Sequence, residues 1–182
     1  MRIIGGSLKG RRLDTPDWPG LRPTSDKLRE TLFNILAPRI DGARFLDGCA
    51  GTGAVGIEAL SRGAAHVTFV ERDVRAVRLI GRNLERAGLG PDRHVIIRAE
   101  LAGAVSRLTT QLFDIIFLDP PYGAPEPTRA LTAVEPVVTD DTLLIVEHAR
   151  RDPVPERSGR LIRARELSSG DSALSFYRVL HE

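Results

Sequence analysis

With 182 residues, 42% hydrophobic and 27% charged, the chain has room for one full domain and a small appendage. It has no apolar run long enough to cross a bilayer and no signal-like core in MRIIGGSLKGRR, so a cytoplasmic protein is expected. One cysteine, Cys49, excludes an intramolecular disulfide, and four scattered histidines offer no metal-ligand spacing, so no metal is expected.

The charge is unevenly placed. Residues 1–39 hold eight Lys/Arg against four Asp/Glu, whereas 40–182 hold eighteen against twenty. Arg2, Lys9, Arg11 and Arg12 occur in the first thirteen residues with no acid among them. A basic arm on a near-neutral body points to contact with a polyanion, through phosphates that set orientation and affinity but not base choice.

RIIGGSLKGRRL predicts a short β-hairpin with glycines at its turn, followed by the linker TPDWPG, so residues 1–21 form an N-terminal extension to a domain over 22–182. In PTSDKLRETLFNILAPR, Leu28, Leu32, Ile35 and Leu36 fall at helical spacing; Thr24 or Ser25 caps the start and Pro38 marks the end. From residue 44 the pattern alternates. Strands are expected at 44–47, 66–71, 94–98, 113–119 and 142–148, with helices through AVGIEALSR, through VRAVRLIGRNLERAG, near 101–109 and near 127–135. GRLIRAREL and SALSFYRVL close the chain as an antiparallel hairpin. The expectation is an α/β, Rossmann-like fold: a mostly parallel seven-stranded sheet with helices on both faces. Such sheets bind ligands beyond the carboxyl ends of their strands, and Asp47, Glu71 and Asp119 each end a strand here.

LDGCAGTGAVGIEAL follows the first parallel strand and contains the run Gly51-Thr52-Gly53-Ala54-Val55-Gly56. Glycines let the backbone approach a ligand closely, and the helix behind offers free N–H groups. Glu71 can accept both hydroxyls of a ribose from the end of the next strand. Glu100 is placed to accept from an adenine amino group, with the Leu101 N–H against a ring nitrogen. Asp47, Gly48, Cys49, Gly51, Thr52, Gly53, Glu71, Arg72, Glu100 and Leu101 are therefore the candidate cofactor residues. NAD or FAD would lay a pyrophosphate on this turn, whereas S-adenosylmethionine would lay its cationic amino-acid end there, near Asp47. The turn alone leaves that choice open.

IIFLDPPYG, 115–123, is a buried strand that delivers a carboxylate to its tip and then freezes the chain with two prolines. Asp119, Pro120, Pro121 and Tyr122 suit methylation of an exocyclic base amine, whose lone pair is delocalised into the ring. The Asp119 carboxylate and the Pro120 carbonyl accept the two N–H hydrogens, Tyr122 stacks on the base, and the amine attacks a sulfonium methyl in line. A paired base would have to be unpaired or flipped to enter.

These segments resemble S-adenosylmethionine-dependent amino-methyltransferases, and more closely the bacterial small-subunit (16S) rRNA guanine-N2 methyltransferases. RIIGGSLKGRRL and LRPTSDKLRETLFNIL look like that family's opening, AGTGAVGIEALSRGA and LDPPYG like its cofactor and catalytic segments, and SSGDSALSFY like its closing hairpin. The resemblance implies a class I methyltransferase fold and S-adenosylmethionine as cofactor. It implies methyl transfer to the amino group of one guanine in 16S rRNA, with a largely assembled small ribosomal subunit as substrate; the protein is expected to be a monomer. It places Arg22, Thr24 and Arg29 beside the active-site mouth, as substrate contacts together with Arg2, Lys9, Arg11 and Arg12. The sequence departs from the family at Cys49, where an aromatic residue, commonly Phe, usually precedes the Ala-Gly; Cys49 reads as a small apolar filler, not a nucleophile. The other readings of the same residues are an amino-methyltransferase acting on DNA adenine or another RNA or protein amine, and a non-catalytic rRNA-binding assembly factor.

Overall fold

The computed structural model describes residues 1–21, 24–123 and 125–180. After helix α1 (Asp26–Ile40), five strands alternate with four helices: β1 (Arg44–Gly48), α2 (Ala54–Ser61), β2 (His66–Glu71), α3 (Val74–Arg86), β3 (His94–Arg98), α4 (Leu101–Val105), β4 (Ile115–Leu118), α5 (Glu126–Val134) and β5 (Leu143–Ala149). These five strands pair in parallel. β6 (Arg157–Ser158), β7 (Leu161–Ser169) and β8 (Ser172–Val179) then pair antiparallel, giving the order β3–β2–β1–β4–β5–β8–β7–β6. The expected seven strands become eight through the two-residue β6 on the outer edge. The strand order reverses between β1 and β4, which opens a crevice at their carboxyl ends.

Side-chain alternation assigns the two faces of the sheet. Phe45, Val67, Phe69, Ile115, Phe117 and Ile145 pack under α1, α2 and α3. Leu46, Val70, Ile116, Leu118, Leu144 and Val146 pack under α4 and α5. Strands buried on both faces explain the unbroken apolar runs in the sequence.

Ser25, not Thr24, caps α1, its hydroxyl accepting from the Leu28 N–H at 3.2 Å. The helix runs two residues beyond Pro38, because burial of Ile40 in the core holds the last turn although the proline donates no hydrogen bond. The N-terminal hairpin closes around one antiparallel bridge, Arg2 with Arg12, without extending into a strand. Across it the N–H groups of Ile3, Gly10 and Leu13 donate to the carbonyls of Arg11, Ile3 and Met1 at 2.9, 2.8 and 3.0 Å. Other donors turn to α2: the N–H groups of Ile4 and Gly5 donate to the Glu58 carboxylate at 2.9 and 2.7 Å, and the Ser7 N–H donates to the Ser61 carbonyl at 2.8 Å. Gly6 sits so close to α2 that a Cβ would lie 1.9 Å from the Ser61 oxygen. Ile3 and Leu13 are thereby buried in the α1–α3 core. No helix among the described residues is long and apolar enough to cross a membrane.

Candidate active site

Sheet parity brings four carboxylates together. Asp47, Glu71, Asp119 and Glu147 each follow by two residues a core phenylalanine or isoleucine on the α1–α3 face (Phe45, Phe69, Phe117 and Ile145), so all four point to that side at the carboxyl ends. Because Leu118 is in register with Val146, Asp119 and Glu147 stand next to each other across the β4–β5 ladder. All four line one cavity of about 1260 Å³, which also takes in the glycine turn, Glu100, Leu101, Pro120, Pro121 and Tyr122.

The turn after β1 is built by its backbone. Cys49, Gly51 and Gly53 all have left-handed φ, at 61°, 57° and 75°. For Cys49, the one described non-glycine residue of that kind, the conformation costs about 1–3 kcal/mol. A Cβ on Gly48 would lie 2.5 Å from the Leu118 side chain. Glu71 locks the turn: one oxygen accepts from the Gly51 N–H at 2.8 Å, and the other from the N–H groups of Arg72 and Asp73, both at 2.8 Å. Asp47 accepts from the Gly56 N–H at 2.9 Å, and burial pushes its carboxyl up to about 8 against that hydrogen bond, with Glu71 adding to the rise. Buried Thr52 caps Ala54, its hydroxyl accepting at 3.3 Å. Burial also pushes the Cys49 thiol up to about 12, helped by Asp119, Glu71 and Asp47, which fits a filler and not a nucleophile.

Around Asp119 the environment is acidic. Its backbone N–H donates to the Gly48 carbonyl at 3.2 Å, tying the β4 tip to the turn. Burial raises the Asp119 carboxyl well above the usual range, and the charges of Glu147, Asp47 and Glu71 raise it further. Burial also raises Glu147, which is 3% exposed, opposed by the hydroxyls of Thr24 and Ser172. Tyr122 is 42% exposed at the rim, its hydroxyl 2.9 Å from that of Ser172.

The remaining expected residues divide. Exposed Arg72 and Glu100 pair at 3.1 Å over the mouth, and Leu101 begins α4 beneath them. Trp18 lines the cavity under the Arg75 guanidinium, 5.1 Å from its ring centroid. Arg2, Lys9, Arg11 and Arg12 are exposed, with Arg11 also donating to the Ala87 carbonyl at 2.8 Å. Thr24 lines the cavity and donates to Glu147 at 2.9 Å. Arg22 lies outside the described residues. Arg29 is corrected: it is fully buried, donating to the Arg2 carbonyl at 2.7 Å and to Asp26 at 2.9 Å, so it anchors the arm from inside and presents no guanidinium to a substrate. Glu147 was missing from the expected set, although an acid inside the apolar run LLIVEH was its signal.

The donor set discriminates between cofactors. Phosphate binding at a helix start needs free N–H groups, yet in the first turn of α2 those of Gly56 and Ala54 already donate to Asp47 and Thr52. The surrounding carboxylates repel a pyrophosphate and favour a cation. Among the described residues, no group of three or more His, Cys, Asp or Glu side chains is arranged to hold a metal ion.

The family model described as "Conserved hypothetical protein 95" matches residues 1–178. Ribosomal RNA small subunit methyltransferase D of Escherichia coli is 38% identical over 180 residues, covering 98% of this chain and 89% of that protein. YlbH of Bacillus subtilis is 38% identical over 183 residues, covering 98% of each chain. The solved structure of yhhF from Escherichia coli superposes with a TM-score of 0.84 at 35% identity, covering 98% of this chain and 97% of that one.

Proposed function

The chain belongs to the Conserved hypothetical protein 95 family, with rRNA methyltransferases among its relatives, and we propose that it methylates the exocyclic N2 of one guanine in 16S rRNA of the small ribosomal subunit. The cofactor is S-adenosylmethionine, which supplies the methyl group on a cationic sulfur. The observation that carries this reading is the common cavity in which the Asp119-Pro120-Pro121-Tyr122 tip of β4 adjoins the acidic glycine turn.

In this reading Asp47 faces the positive charge of the cofactor, whose presence restores the ionised carboxylate that burial disfavours. Beyond its three backbone donors Glu71 keeps one lone-pair site, on the oxygen that Gly51 meets, for a ribose hydroxyl. Glu100 and the Leu101 N–H take the adenine edge. At the other end the Asp119 carboxylate and the Pro120 carbonyl accept the two N2 hydrogens and hold the amine with its lone pair free, while Tyr122 covers the base. As N2 gains carbon it must lose one proton, and the Asp119 carboxylate, whose proton affinity is raised, takes it. Most of the rate gain comes from position and preorganised charge.

Residues 1–21 act as a basic extension that grips RNA through Arg2, Lys9, Arg11 and Arg12, and 22–182 act as the catalytic domain of a monomer. Labelled methyl transfer to unmodified small subunits, naked 16S rRNA and duplex DNA, followed by nucleoside digestion, tests the reading. N2-methylguanosine from the particle is the expected product. Label confined to DNA, or absent from all RNA while the cofactor still binds, would overturn it.

A further inference from the structure

We propose that Glu147 reads the base: its carboxylate accepts the N1–H of the guanine whose N2 amine rests on Asp119, and it thereby admits guanine and rejects adenine. The inference rests on the reading of this cavity as a base-amine methylation site.

Register places the two carboxylates. Asp119 directly follows β4 and Glu147 lies on β5; the register of Leu118 with Val146, continued by one residue, sets them side by side with equal parity, about one strand spacing apart, and the charge of Glu147 acts on Asp119. Guanine presents N1–H and N2–H as adjacent donors on one edge, which two adjacent carboxylates can receive together. Adenine, with its amine in the same place, turns the bare lone pair of N1 toward the second carboxylate. The Thr24 and Ser172 hydroxyls favour the ionised form of that carboxylate against its burial, and in that form the contact is repulsive and leaves a buried acceptor without a donor.

The setting of Glu147 fits a reader better than a structural acid. It is 3% exposed, yet it lines the cavity. The Thr24 hydroxyl, at the start of α1, donates to its Oε2 at 2.9 Å and fixes its direction, and with the Ser172 hydroxyl as its other support the carboxylate still has lone pairs for a ligand. Ser172, which bears on the same carboxyl, also meets the Tyr122 hydroxyl at 2.9 Å, so the residue proposed to stack on the base and the residue proposed to read its edge share one support. A site built to pair a substrate N–H discriminates strongly against an analogue that lacks it.

The test uses small subunits reconstituted with 16S rRNA carrying either guanine or 2-aminopurine at the methylated position. 2-Aminopurine keeps the 2-amino group but has a bare acceptor at N1. The wild-type protein is expected to prefer guanine by about tenfold or more in kcat/KM. In Glu147→Gln the side-chain amide can accept from guanine N1–H or donate to the 2-aminopurine N1, so the gap is expected to shrink to about threefold or less with cofactor affinity retained. A wild-type protein that methylates both bases equally, or a Glu147→Gln variant that keeps the full gap, would overturn the role of Glu147 and leave amine methylation standing. A wild-type protein that methylates neither base would overturn the underlying reading, and this inference with it.

Discussion

Glu71 and Asp119 end the strands on either side of β1 with side chains on the same face, yet their surroundings are opposite. Glu71 is held by three backbone N–H groups, that of Gly51 in the turn after β1 and those of Arg72 and Asp73 after β2. Asp119 is surrounded by the charges of Glu147, Asp47 and Glu71, and its carboxyl is raised by burial and by those neighbours. The first carboxylate is committed to the shape of the turn. The second is kept short of donors, which makes it ready for a ligand that brings them. Position on the sheet made both acids candidates; hydrogen bonding separates their tasks.

Substituting both acids would break or sharpen this contrast. Asp119→Ala is expected to lower methyl transfer by about 10²–10³-fold, the range for loss of one preorganised polar group at a reacting centre. Cofactor affinity should change little, and the melting temperature should hold or rise, because a half-buried carboxyl short of donors disappears. Glu71→Ala should do the reverse: each backbone N–H deprived of its acceptor costs about 1–3 kcal/mol, so melting temperature and cofactor affinity both fall. Calorimetric cofactor titration and thermal melts of the two variants provide the check. Matching losses in both would erase the distinction.

The pH dependence sharpens it further. Asp47 is raised from an ordinary carboxylate value to about 8. Between those values the folded protein holds a proton that the unfolded chain has released, so the contribution is fully present below the ordinary value and is lost as pH rises toward 8. One such group gives a stability slope of up to about 1.4 kcal/mol per pH unit. Asp119 and Glu147, raised for the same cause, act in the same direction. Without cofactor, the melting temperature should therefore fall as pH climbs through this window. Saturating S-adenosylmethionine should flatten the slope, because its positive charge favours ionised Asp47, and Asp47→Asn should flatten it without cofactor. A pH-independent melting curve would contradict the raised carboxyls.

Most of the sheet was legible because strands buried on both faces write themselves as unbroken apolar runs, and glycines and prolines punctuate them. The acids at strand tips were legible for Asp47, Glu71 and Asp119, since each stands at the end of its run. Glu147 was harder to place: an acid inside the apolar run LLIVEH stands out, but β5 continues two residues past it to Ala149, and the register with β4 is what sets it beside Asp119. The N-terminal hairpin itself was legible, and Ile3, Gly10 and Leu13 donate across it, but its extent misled, because Glu58 and Ser61 on α2 take the N–H groups of Ile4, Gly5 and Ser7. A long-range side-chain acceptor leaves no periodic trace. Arg29 misled in the same way, since its buried anchor to the Arg2 carbonyl and Asp26 depends on the arm folding back.

The arginines repeat the division seen among the acids, and they set the smallest of the expected effects. Arg29 is wholly internal, and Arg11 gives part of its guanidinium to the Ala87 carbonyl. Lys9 and Arg12 are exposed, and Arg2 meets Asp26 only at 4.0 Å across an exposed pair, a contact of little energetic weight. Lys9→Ala combined with Arg12→Ala should leave stability nearly unchanged and weaken binding to the ribosomal particle. The slope of log affinity against log salt should flatten by about 0.7–0.9 for each phosphate contact removed. Arg11→Ala should add a small loss of stability, because its tie to the end of α3 goes with it. Filter-binding titrations across a salt series separate the two classes. A double variant with an unchanged salt slope would show that the exposed cations of the arm do not touch phosphate, and would leave the arm as a strap that Glu58 and Arg29 hold to the catalytic body.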